Sequence, residues 1–327
     1  MKIGILAVTA GGNELAQKIA AAQPSTILHG KGVAGKLAEN WTSFDGFICI
    51  MAAGIAVRAV APLLVDKRTD PCVVVLDEQG NHVISLLSGH LGGGNELATK
   101  VAKLTGGQPV ITTSSDTLGL VALDLWVKAQ NLGAGKDDLT RASAILVNQG
   151  KLLVFADVEV DSLPPGLVQA GDISQADLII SNKISDTDCP VFRPRNLVVG
   201  TGCNRGTPEV EFNEALEELC ANLAFSPLAI RNLASIDKKN DEEGLLAFAR
   251  HHQWQIDFFS KEEINSVTNI ETSHAALKAV GAVGVAEPCA LLSADTSILL
   301  GRKQKWQNIT MAVTEAPFTL SAQARDH

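Results

Sequence analysis

The stretch Ser88-Gly89-His90-Leu91-Gly92-Gly93-Gly94-Asn95-Glu96-Leu97 constrains this chain more than any other. The apolar run His82-Val83-Ile84-Ser85-Leu86-Leu87 precedes it and has the length of a strand. Leu97-Ala98-Thr99-Lys100-Val101-Ala102 follows with helical spacing. A strand that passes through glycines into a helix is the repeating joint of an α/β fold. In such folds ligands bind beyond the carboxyl ends of the strands, where these joints lie. Glycine lets a backbone approach a ligand without Cβ interference, and a helix start offers N–H groups and a partial positive charge. His90 lies inside the glycine turn rather than on an apolar face, which suits acid–base work. Glu96 reads two ways, as a second base or as a first-turn carboxylate serving its helix and Lys100 four residues on.

Part of this stretch occurs twice. Gly11-Gly12-Asn13-Glu14-Leu15-Ala16-Gln17-Lys18-Ile19-Ala20 repeats Gly93-Gly94-Asn95-Glu96-Leu97-Ala98-Thr99-Lys100-Val101-Ala102 almost residue for residue. The first copy follows the strand Lys2–Val8, with Thr9-Ala10-Gly11-Gly12 read as a tight turn and Asn13 as cap of a helix to Ala22. Only the second copy carries Ser88 and His90. Phe47–Met51 is a further buried strand, and Ala52-Ala53-Gly54 turns it into a helix bearing Arg58 that Pro62 interrupts. Arg58, Lys67 and Arg68 form a candidate anion-binding rim, or a solvated charged loop. Cys72–Asp77 and the run before Ser88 form a hairpin through Glu78-Gln79-Gly80-Asn81. Gly106-Gly107 ends the helix that follows.

Residues 121–149 read as two helices broken at Leu132-Gly133-Ala134-Gly135. Lys151–Phe155 and Leu178–Ile180 read as short strands, and the segment from Asp186 to Pro194 as a linker. Asn196–Gly200 opens a new unit as a strand. It runs into a second glycine-rich loop, Thr201-Gly202-Cys203-Asn204-Arg205-Gly206-Thr207, before a helix with Thr207 as cap and Pro208 first. That loop is either a binding loop with Arg205 as anion contact or a turn that packs helix on sheet. Cys203 reads as packing, with a nucleophile as the alternative. The loop misses the dinucleotide pattern by one residue, and no Walker pattern occurs. The tail after Pro317 reads as frayed.

With 327 residues, 46% of them hydrophobic, the chain can bury more than one core. Its formal net charge of −9 argues against nonspecific nucleic-acid binding. The 6 cysteines are scattered without C-x-x-C spacing, which fits a reducing compartment, so the cytoplasm is expected. No apolar run is long enough for a bilayer, and no residues show metal-ligand spacing.

The particular residues go further. Met51-Ala52-Ala53-Gly54-Ile55-Ala56-Val57-Arg58, then Ala61-Pro62-Leu63, Lys67, Asp70-Pro71, Val73–Asp77 and Leu86–Ala98, resemble the N-terminal domain of the cobalamin-biosynthesis CbiG family, the cobalt-precorrin-5A hydrolases. The Gly200–Thr207 segment and Gly284-Val285-Ala286-Glu287-Pro288 resemble its C-terminal domain, which also exists alone as CobE. The likeness covers nearly the whole chain in the expected order. Gly94 is a small departure, since the resemblance leads one to expect alanine there.

The resemblance implies an α/β, multidomain chain. A Rossmann-like N-terminal α/β domain would span residues 1–120, a small middle module 121–195, and a C-terminal three-layer α/β domain with a mixed sheet 196–318. It implies an enzyme that opens the ring-A δ-lactone of a cobalt-bearing contracted macrocycle and releases the extruded meso carbon as acetaldehyde. No cofactor is expected, because cobalt arrives with the tetrapyrrole substrate. His90 is the first choice of base and Glu96 the second. Substrate contacts are expected from Gly54, Ile55, Arg58, Lys67, Ser88, Gly89, Gly92, Gly93, Gly94 and Asn95, and from Thr201, Gly202, Cys203, Asn204 and Arg205. Oxyanion donors would come from the N–H groups of Gly93–Asn95 or of the Gly54-Ile55 turn. A homodimer and transient contact with neighbouring pathway enzymes are compatible with this reading. A nucleotide-binding Rossmann enzyme and a non-enzymatic carrier of corrinoid intermediates are the two rivals.

Overall fold

The computed structural model describes residues 1–323 apart from 31, 67, 115–117 and 269, and divides into two compact units, Met1–Leu125 and Trp126–His327. The first unit is built on a six-stranded sheet of order β2-β1-β3-β4-β5-β6. Its strands are β1 (Ile3–Ala7), β2 (Thr26–Ile27), β3 (Gly46–Ile50), β4 (Cys72–Leu76), β5 (His82–Leu87) and β6 (Gln108–Val110). Helices α1 (Ala10–Ala22) and α4 (Gly94–Thr105) cover one face; α2 (Val33–Asn40) and α3 (Ala53–Val60) cover the other.

Alternation along the strands divides the core between these faces. Ile48 and Ile50 pack with Ala16, Ile19, Ala98 and Val101, whereas Phe47 and Cys49 pack with Leu37, Ala56 and Val60. β3 and β4 are buried along their whole length, as expected of central strands covered on both sides.

The unit is Rossmann-like through β4, where β1, β3 and β4 run parallel, and departs from that pattern at β5. β5 pairs antiparallel with β4, Leu76 opposite Val83 and Val73 opposite Leu87. The Asp77 carboxylate closes this hairpin by accepting from the backbone N–H groups of Gln79, Asn81 and His82. The reversal decides where the glycine turn lies. The end of β5 comes level with the start of β4, at the edge opposite the carboxyl ends of β1, β3 and β4.

The repeated helix motif is a packing solution. Gly12, Ala16 and Ile19 of α1 and their counterparts Gly94, Ala98 and Val101 of α4 are all buried. Small residues at the first two positions let each helix lie close on the same sheet face. The two copies begin differently. Thr9, not Asn13, caps α1, so Gly11 and Gly12 sit inside its first turn rather than in a turn before it. α4 begins only at Gly94, the counterpart of Gly12, with Gly93 as a left-handed cap at φ 77°.

The second unit holds two five-stranded sheets. One has the order β10-β8-β11-β12-β7, with β7 (Leu132–Ala134), β8 (Leu152–Ala156), β10 (Leu167–Gln169), β11 (Leu178–Ile180) and β12 (Val191–Pro194). Two expectations are corrected here. The break at Leu132-Gly133-Ala134 is an edge strand, and the end of the expected linker is strand β12, antiparallel to it, with Phe192 fully buried. Glycine is tolerated in the edge strand β7, and β12, though paired on both sides, is short and bounded by Pro190 and Pro194, which is why the pair reads as loop in the sequence.

The other sheet is mixed, of order β15-β14-β13-β17-β16. It contains β13 (Leu197–Cys203), β14 (Ile230–Ile236), β15 (Ile256–Phe259), β16 (Leu299–Lys305) and β17 (Ile309–Glu315). Helices Glu209–Leu223 and Glu243–His252 cover one face; Lys261–Ser266 and Ala286–Ala294 cover the other, which makes three layers. As far as Gln323 the tail after Pro317 is held rather than frayed: Thr319–Leu320 pairs with β9 (Glu159–Val160), and the Trp126 indole N–H donates to the Ser321 carbonyl; its last four residues lie outside the described residues. Among the described residues no helix is long and apolar enough to cross a membrane.

Candidate functional site

The Ser88–Asn95 turn folds tightly on itself. Ser88 adopts φ 52°, a left-handed conformation uncommon for a residue with a side chain, and its hydroxyl donates to the Asp70 carbonyl at 3.1 Å. The backbone N–H of Gly93 donates to His90 O, that of Gly94 to Ser88 O and that of Asn95 to Gly89 O, at 2.8, 3.1 and 2.9 Å. A Cβ on Gly92 would fall 2.4 Å from Ser88 Cβ, and one on Gly89 2.7 Å from Asn95 Oδ1. These glycines are needed so that the chain can cross itself. The expected oxyanion donors are therefore corrected: the N–H groups of Gly93–Asn95 hold the turn together and do not point at a ligand.

The turn forms one wall of an open cavity of about 810 Å³. Gly89, His90, Gly92, Gly93, Asn95 and Glu96 face it from the turn. Trp41, Phe44 and Asp45 line it ahead of β3, and Arg68, Asp70 and Pro71 ahead of β4. A volume of this size suits a sizeable organic ligand. His90 is largely buried, its side chain 17% exposed, and its Nδ1 lies 3.3 Å from Oδ1 of Asp124. Glu96 is different: its carboxylate is mostly exposed and pairs with Lys100. Arg68 is clamped by Asp66, with Nε and Nη2 each 3.0 Å from a carboxylate oxygen. Asp124, in the first turn of the helix Leu123–Ala129, and Arg68 as a cation in the cavity wall are residues that motif reading passed over or subordinated. Asp124 belongs to no pattern, and only the fold brings it to His90.

The other expected contacts of the first unit lie elsewhere. Gly54 and Ile55 open α3 beyond the carboxyl end of β3, so they sit at the opposite edge of the sheet from His90. The Ile55 N–H donates to Ala52 O, and the Arg58 guanidinium turns back onto the Gly54 carbonyl at 2.9 Å. Ile55 lines a separate cavity of about 500 Å³ with Thr9, Met51, Asp77 and His82. In that region Glu78 lies over the first turn of α1, where a Cβ on Gly11 would come within 2.2 Å of its carboxylate. An acidic group there opposes a pyrophosphate, which disfavours the nucleotide rival. Lys67 lies outside the described residues.

The second glycine-rich segment divides in two. Thr201, Gly202 and Cys203 are strand, paired along β17 as far as Ile309, and Thr201 is fully buried. A Cβ on Gly200 would fall 1.8 Å from Ala286 O, and one on Gly202 2.8 Å from the Thr310 hydroxyl. Here glycine seats the helix Ala286–Ala294 on β13, so the contact expected from Thr201 and Gly202 is corrected to packing. Burial pushes the Cys203 thiol up to about 11, which removes it as a neutral-pH nucleophile.

Asn204 and Arg205 are exposed. Asn204 Nδ2 donates to Asn308, and Arg205 pairs with Asp241 beside the buried Lys239–Glu242 pair. Burial alone would raise Glu242, but Lys239 and the Gly206 N–H hold its pKa below the usual carboxylate value. Thr207 does not cap the following helix; its hydroxyl donates to Asn204 O. Among the described residues no group of three or more His, Cys, Asp or Glu side chains could hold a metal ion.

A histidine in reach of a carboxylate, on a glycine turn at the wall of a cavity, is the equipment of an α/β acid–base enzyme. Comparison with known proteins makes the class specific. The model of the cobalamin synthesis G N-terminal family matches residues 36–116, and that of the cobalamin synthesis G C-terminus matches residues 197–314. A cobalt-precorrin-5A hydrolase of Priestia megaterium is 35% identical, over 86% of this chain and 81% of its own. One from Salmonella typhimurium (strain LT2) is 31% identical, over 95% of this chain and 97% of its own. Protein CobE of Sinorhizobium sp is 30% identical over 39% of this chain and 85% of its own. The chain belongs to the CbiG family of cobalamin synthesis, whose members above are cobalt-precorrin-5A hydrolases.

Proposed function

We propose that this chain hydrolyses cobalt-precorrin-5A by opening its ring-A δ-lactone, and that His90 is the base. The observation that carries the assignment to His90 is its place in the wall of the 810 Å³ cavity. Water loses a proton to His90 as its oxygen bonds to the lactone carbonyl carbon. The ester C–O bond then breaks and leaves a carboxylate on the ring and an alcohol on the meso carbon. Collapse of that alcohol to a carbonyl releases acetaldehyde, and the electron pair of the broken C–C bond is protonated on the macrocycle.

Arg68 receives a substrate carboxylate through the part of its N–H fork that Asp66 does not engage. Cobalt enters and leaves as part of the substrate, with no resident cofactor. Glu96, paired with Lys100 in solvent, keeps a helix-dipole role. Arg205 and Asn204 offer polar contacts in the second unit, and the reaction takes place in the cytoplasm.

The test is to incubate the purified chain with cobalt-precorrin-5A and follow acetaldehyde. Stoichiometric acetaldehyde with the lactone opened supports the reading. Tight binding of the macrocycle without acetaldehyde would replace it with a carrier.

A further inference from the structure

Among the described residues the carboxylates of Asp45, Asp70 and Glu96 line the His90 cavity, and each has a partner. Asp45 accepts from the Lys2 N–H, Asp70 from the Val65 N–H, and Glu96 pairs with Lys100. Arg68, a cation in the same wall, is held by Asp66. Asp124 differs from these in its partner. Its carboxylate meets the imidazole itself, Oδ1 to Nδ1 at 3.3 Å, and both side chains are shielded, at 17% and 20% exposure. Asp124 Oδ1 also accepts from the Leu125 N–H at 2.9 Å, which fixes the carboxylate on its own helix.

We infer that Asp124 is a positioning residue for His90: its carboxylate holds the proton on Nδ1 and so makes Nε2 the basic nitrogen. The inference rests on the reading of His90 as base. An imidazole can carry its proton on either nitrogen, and only the unprotonated one can take a proton from water. A carboxylate fixed at Nδ1 selects the tautomer, sets the ring angle and stabilises the imidazolium that forms when the proton arrives. It does this in a shielded place, where a charge pair is screened less than at the surface. Asp124 need not touch substrate, so its removal acts on the proton-transfer step and leaves binding to the cavity wall.

The experiment compares the wild-type chain with Asp124→Asn and Asp124→Glu by two readouts. The first is the pH dependence of acetaldehyde release. The second is the ¹⁵N NMR signal of the His90 ring in the full chain without substrate. Asp124→Asn is expected to lower kcat about tenfold to hundredfold, with KM within about threefold. Without the neighbouring negative charge the imidazolium is less stabilised, so the acidic limb of kcat/KM moves to lower pH. Above that limb the wild-type ring shows the Nδ1–H tautomer, and the Asn variant a mixture. Asp124→Glu, which keeps the charge, restores part of kcat and the wild-type limb.

An unchanged pH profile and unchanged ring signals in Asp124→Asn would overturn the inference. Altered ring signals together with a His90→Ala chain that keeps the wild-type rate would instead overturn His90 as base.

Discussion

Gly92 and Gly200 occupy similar glycine-rich sequence and do opposite things. A side chain on Gly92 would strike Ser88, four residues earlier; one on Gly200 would strike the backbone of Ala286, far along the chain. The first clash is local, and it marks a turn that crosses itself at the wall of a cavity. The second is long-range, and it marks a strand on which a helix has been seated. Here the glycine that excludes its own neighbours shapes a turn at a cavity wall. A glycine that excludes another element shapes a core.

The largest effect is expected at Gly200. A Cβ there would lie 1.8 Å from Ala286 O, between two backbones that cannot yield separately. Gly200→Ala should cost roughly 3 kcal/mol or more of stability, read as a lowered urea midpoint. A near-wild-type midpoint would break the comparison. Gly92→Ala comes next, since its clash at 2.4 Å involves a surface turn that can shift. It should cost about 1–3 kcal/mol and slow acetaldehyde release more than it lowers the midpoint, because the displaced turn carries His90.

Cys203→Ser separates packing from chemistry. Burial has pushed this thiol up to about 11, so it stays protonated until strongly alkaline pH. The variant should keep the wild-type rate, and iodoacetamide should label Cys203 in the folded chain only slowly near neutral pH. Rapid labelling coupled to loss of activity would restore the nucleophile. The smallest effect is expected at Arg58. It sits at the opposite edge of the sheet from His90, with its guanidinium on its own helix. Arg58→Ala should leave the rate within about twofold, and a large rise in KM would return that edge to the site.

Much of the fold was legible because the strands announce themselves. β3 and β4 are continuous apolar runs, the hairpin at Gln79-Gly80-Asn81 has turn chemistry, and the helix after Gly94 has its stop at Gly106. The consequence of the hairpin was not legible. Reversing β5 sends its turn to the far edge, so two glycine turns that look alike in sequence end at opposite ends of one sheet. β7 was hidden because an edge strand accepts the glycine that otherwise marks a loop, and β12, an inner strand between β11 and β7, because it is short and bounded by Pro190 and Pro194.

At the site, His90 was legible from its glycine setting. Asp124 was not, since a single aspartate at a helix start carries no sequence signal, and tertiary folding alone sets it against the ring. The orientation of the Gly93–Asn95 N–H groups was equally invisible, because it depends on Ser88 taking a positive φ.

The most direct test of the account is the rate at which saturating cobalt-precorrin-5A yields acetaldehyde with His90→Ala, against the wild-type chain, at matched urea midpoints. The account predicts a fall of roughly 10²–10⁴-fold. A His90→Ala chain that turns over at the wild-type rate would contradict it.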